Sequence, residues 1–140
     1  MFVTQRFMIG LSQALFAYTV SKLVDLDSEF AVLGSLIPTF SLVLIYAGPL
    51  KYEGVFLSLT SAAVFSLITL QLFNSDKSQG LFAGYSCSLL LESLTFSYLP
   101  IFYPFYGFQG LGWFSSFDPA WNLSIISFSV LVLAGIKLKN

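Results

Sequence analysis

The chain has 140 residues, of which 56% are hydrophobic, 18% aromatic and only 9% charged, with a formal net charge of -1 and no histidine. Soluble domains carry about 25% charged residues, so this composition excludes an ordinary globular cytosolic protein. At roughly 20 apolar residues per crossing, the chain has room for four or five membrane spans, which predicts an all-α fold, a polytopic transmembrane helix bundle.

Five apolar runs bounded by charge or by Gly/Pro clusters follow in order. The first, 7–24, is entered after Arg6 and closed by Asp25, Asp27 and Glu29. It lacks a small-x-small cleavage pattern and another apolar run follows at once, so it reads as a retained helix rather than a signal peptide. The second, 30–48, contains Pro38, which predicts a kink, and ends in the breakers Gly48 and Pro49. The third is 55–73, stopped by the polar stretch 74–80, and the fourth is 81–103. The fifth, 121–138, is no longer than the first, and four spans are the alternative. Short connections between the first four predict antiparallel neighbours. With five spans, Arg6 and Lys51 lie on one side and Lys22, Lys77, Lys137 and Lys139 on the other, which puts the carboxyl terminus in the cytosol by the positive-inside rule.

Without imidazole the chain cannot supply axial haem ligation by histidine, the usual zinc ligands or His-based proton abstraction. Cys87 is the single cysteine and reads as a small packing residue. Six Lys/Arg against seven Asp/Glu supply no basic patch, so nucleic acid is not an expected partner. No cofactor or metal is expected either. The acidic group Asp25, Asp27, Glu29 lacks the ligand spacing of a calcium loop and reads as a solvated turn. Lys22 beside it reads as a snorkelling lysine at a helix end.

Glu92 is the first candidate for chemistry. It sits alone at the middle of the fourth run, where a charge costs on the order of 2.5–3.5 kcal/mol. Gly80, Gly84 and Ser88 precede it at steps of four, one stripe along a helix. Either Glu92 is a coupling or substrate-binding carboxylate, or it is a protonated acid hydrogen-bonded to a serine or carbonyl of the next helix. Similar small-residue stripes occur at Gly10, Ala14, Ala17 and Ser21, and at Ser58, Ala62 and Ser66. In lipid such stripes let helix backbones approach and associate.

The segment 100–121 mixes Tyr103, Tyr106, Trp113, Trp121 and several Phe with Pro and Gly. It reads as an aromatic-rich interfacial loop, because Trp and Tyr favour the headgroup layer. It is either a docking surface for a larger complex or a membrane-interface belt. The sequon Asn122-Leu123-Ser124 abuts the fifth run and is expected to stay unmodified.

Arg6, Gly10, Phe16, Lys22-Leu23, Asp25 and Phe30 resemble the first helix of the DoxX-like small membrane proteins. The acidic residue that such proteins show in the following helix has no counterpart between Phe30 and Gly48, so membership is not adopted.

These readings converge on a non-catalytic, multi-pass membrane protein, a structural subunit or assembly factor whose partners are the bilayer and other membrane subunits or itself. A small homo-oligomeric transporter or channel using Glu92 is the alternative. Runs this short suit a thin bilayer such as the endoplasmic reticulum, or another eukaryotic endomembrane, over a bacterial inner membrane.

Overall fold

A computed structural model describes residues 2–46, 58–95, 99–102, 106–108 and 118–139. Its described residues form five helices and one short hairpin: α1 (Phe2–Leu23), α2 (Ser28–Tyr46), α3 (Leu59–Leu72), α4 (Ser75–Thr95), β1 (Leu99–Phe102), β2 (Tyr106–Phe108) and α5 (Pro119–Lys139).

Local capping explains where most helices stop and start. Past the end of α1, Asp25 takes a left-handed conformation at φ 56. Leu26 N then donates to Ser21 O at 2.8 Å, the six-to-one closure that satisfies a terminal carbonyl. Asp27 immediately caps α2, its Oδ1 accepting from Phe30 N at 3.1 Å. Ser58 caps α3 by accepting from Ser61 N at 3.2 Å. Asn74 Oδ1 accepts from Lys77 N at 3.0 Å at the head of α4. Asp118 Oδ1 accepts from Ala120 N at 2.9 Å, with Pro119 at the first helical position, where its missing N–H costs nothing.

Two expectations are corrected. The polar stretch 74–80 does not separate helices throughout; Asn74 caps and α4 begins at Ser75, ending at Thr95 rather than continuing to 103. Beyond it, β1 and β2 pair antiparallel, Leu99 opposite Phe108 and Phe102 opposite Tyr106, so the described part of the aromatic segment is not purely loop. Pro100 disfavours a helical residue before it, and Phe102, Tyr106 and Phe108 are residue types that suit strands.

Among the described residues one helix, Pro119–Lys139, is long and apolar enough to cross a membrane.

α4 is the central element, packing on α1, α2 and α3, while α1 also meets α2 and α5. The hairpin rests on α3 and α4. Ala62, Tyr85 and Leu89 form the apolar core with Ile37, Leu59 and Phe65 around them. The Phe65 and Tyr85 rings stack at 6.2 Å.

The α2–α4 seam is the tightest contact. A Cβ on Gly84 would stand 1.7 Å from Ala31 O, and one on Gly34 would stand 2.1 Å from Leu81 O. No side chain fits there without parting the two backbones. At the end of this seam Lys77 Nζ lies 5.3 Å from the Phe30 ring and 5.1 Å from the Phe73 ring, and these rings meet edge to face at 5.2 Å. The contact joins the start of α2, the end of α3 and the first turn of α4 through cation–π attraction.

Side-chain polarity is inverted relative to a water-soluble bundle. Ser12, Gln13, Thr19, Ser35, Thr39, Ser88, Glu92 and Asn122 are buried. Large apolar residues point outward on all five helices, among them Leu11, Phe40, Leu67, Leu90 and Leu131.

Candidate functional site

The buried polar residues gather into a hub that joins α1, α2 and α4. Gln13 comes from the middle of α1, Ser35 and Thr39 from one face of α2, and Ser88 and Glu92 from one face of α4. Gln13 Nε2 donates to Glu92 Oε1. Gln13 Oε1 accepts from the hydroxyls of Thr39 and Ser88. One amide therefore joins three helices, using both its donor and its acceptor side. Glu92 is 1% exposed, and Thr95 Oγ1 lies 3.3 Å from its second oxygen, Oε2.

A second node lies beside the first, next to Pro38 of α2. Pro38 lacks the N–H that a helix residue gives to the preceding turn. In that turn Ser35 O lies 2.9 Å from the hydroxyls of both Thr39 and Ser88, each of which has one proton to share between this carbonyl and Gln13 Oε1. Two side-chain hydroxyls thus meet on the carbonyl next to that of Gly34, the one that the missing N–H of Pro38 leaves without its helical donor.

α5 adds an outer layer. Asn122 is buried, its Oδ1 accepting from Ser12 Oγ at 2.7 Å and its Nδ2 donating to Asp118 O at 3.1 Å. That amide faces the protein interior. Between α1, α4 and α5 lies a void of about 10 Å³, lined by Ser12, Gln13, Glu92, Thr95, Trp121 and Asn122 together with Ile9, Leu91 and Ile125. A space of that size admits about one water molecule.

The stripes read from sequence take separate places. Gly80 and Gly84 face α2, where a Cβ on Gly80 would stand 2.5 Å from Asp27 O. Ser88 continues that stripe into the hub. Ala17 and Ser21 of α1 are buried and Ala14 is half-buried; a Cβ on Gly10 would lie 4.0 Å from Thr39 Cγ2, facing α2. Ser58 caps α3, Ala62 packs on Tyr85 and Leu89, and Ser66 is buried with its carbonyl accepting from Ser78 Oγ at 2.7 Å. Of the aromatic candidates, Trp121 is half-buried beside the void, and Tyr106 is described only as backbone within β2. Tyr103 and Trp113 lie outside the described residues. Lys22 is exposed with Nζ 5.5 Å from the Tyr18 ring, while Asp25 and Asp27 serve the α1–α2 junction.

Sequence reasoning missed Gln13, Ser12, Ser35 and Thr39, and weighed Asn122 only as a sequon. The available signal was the same one that picked Glu92: an amide in the middle of an apolar run needs an interior partner. Among the described contacts, the Ser12, Thr39 and Ser88 hydroxyls donate to amide and carbonyl oxygens. The Thr95 hydroxyl donates to Glu92 Oε2 from the next turn of the same helix, and the contacts through Gln13 join α1, α2 and α4. No protein-family model, curated protein or solved structure matches this chain, and the resemblance of its first helix to the DoxX-like proteins carries no family assignment.

Proposed function

We propose that this chain is a multi-pass membrane protein of about five spans, acting as a non-catalytic structural subunit or assembly factor of a larger membrane complex. The observation that carries the reading is the inverted polarity of the bundle. Leu11, Phe40, Leu67, Leu90 and Leu131 are 45%, 63%, 59%, 57% and 72% exposed, whereas Gln13 and Glu92 are 4% and 1% exposed. In water, that surface would be a continuous aggregation hazard; in hydrocarbon it is the favoured one, with backbone and polar side chains satisfied inside. The spans beyond α5 rest on this reading. So do the placement in a thin endomembrane such as the endoplasmic reticulum and the assignment of the aromatic segment 100–121 to a headgroup layer or docking surface.

A scaffold role follows from the hub's chemistry. Its hydroxyls and its central amide are spent on joining helices, and the chain has no imidazole to activate a nucleophile. The second reading, a homo-oligomeric transporter or channel using Glu92, draws on the void beside that residue. Because Glu92 turns toward α1 of its own chain, such a path would run through one protomer rather than along a symmetry axis.

Gentle detergent extraction followed by native mass measurement separates these readings. Migration with different membrane subunits is the result expected of a scaffold. A clean homo-oligomer overturns it in favour of the second reading.

A further inference from the structure

We draw no further inference here: the strongest candidate, the void between α1, α4 and α5 beside Glu92, belongs to the site already described.

Discussion

The two ends of one stripe along α4 hold their neighbours by opposite means. Toward α2, Gly80 and Gly84 of α4 and Gly34 of α2 bring backbones so close that any Cβ would collide with a carbonyl. Further along the same stripe, Ser88 and Glu92 meet Gln13 of α1 through side chains, and Gln13 ties them to Thr39 on α2. The seam excludes side chains, whereas the hub is made of them. The contrast shows two ways of holding helices together: small residues set how closely the backbones approach, and side-chain hydrogen bonds tie the helices to one another.

The largest effect is expected at the seam. Gly84→Leu must separate α2 from α4, because the added Cβ meets Ala31 O at 1.7 Å. Overpacking of this kind costs about 3 kcal/mol or more when the obstacle is backbone. Unfolding by a denaturing detergent in mixed micelles should show a lost or strongly shifted transition. A variant as stable as the parent would remove the seam from the account.

The hub should yield next. Gln13→Leu takes the donor from Glu92 Oε1, while Thr39 and Ser88 keep Ser35 O as acceptor, and removing a buried hydrogen-bond partner costs about 1–3 kcal/mol. Loss of less than half the cost of Gly84→Leu would mean that steric fit dominates the bundle. A loss exceeding it would reverse the ranking of seam and hub.

Glu92→Gln is expected to be milder, about 1 kcal/mol or less, since an amide oxygen at the same place still accepts from Gln13 Nε2. The comparison with Glu92→Leu is the informative one. If the Gln variant fell as far as the Leu variant, the charge of Glu92 would matter to the fold and not only its acceptor geometry. Full activity of Glu92→Gln in a transport assay would remove the coupling role of the second reading.

Smallest of all, Leu131→Ala on the outward face of α5, where the side chain is 72% exposed, should leave micellar stability within about 0.5 kcal/mol. A larger drop would show that α5 has a protein neighbour on that face.

Much of this architecture was legible in the residues, but unevenly. Periodicity and run length located helices because apolar stretches bounded by breakers have few other solutions. The stripe Gly80, Gly84, Ser88, Glu92 could be drawn on paper, because steps of four share a face. What it packed against could not, since a stripe of small residues fits any helix close enough. The head of α4 was misread because a polar segment was taken for a break, although Asn74 followed by Ser75 and Asp76 is a capping pattern. The hairpin escaped because strands of three or four residues leave too few alternations to register. Gln13 was overlooked for a different reason: a charge in an apolar run draws notice that a neutral amide does not, yet both need a partner inside a membrane.

The account turns on whether outward faces other than that of α5 contact lipid. Spin labels placed one at a time at Leu11, Phe40, Leu67, Leu90 and Leu131, one per helix, in protein reconstituted into liposomes with Cys87 replaced by Ser, measure this directly. The multi-pass reading predicts that all five are accessible to oxygen and shielded from a water-soluble nickel chelate. Shielding confined to Leu131, with the other four open to the chelate, would contradict it and leave α5 as the one membrane helix.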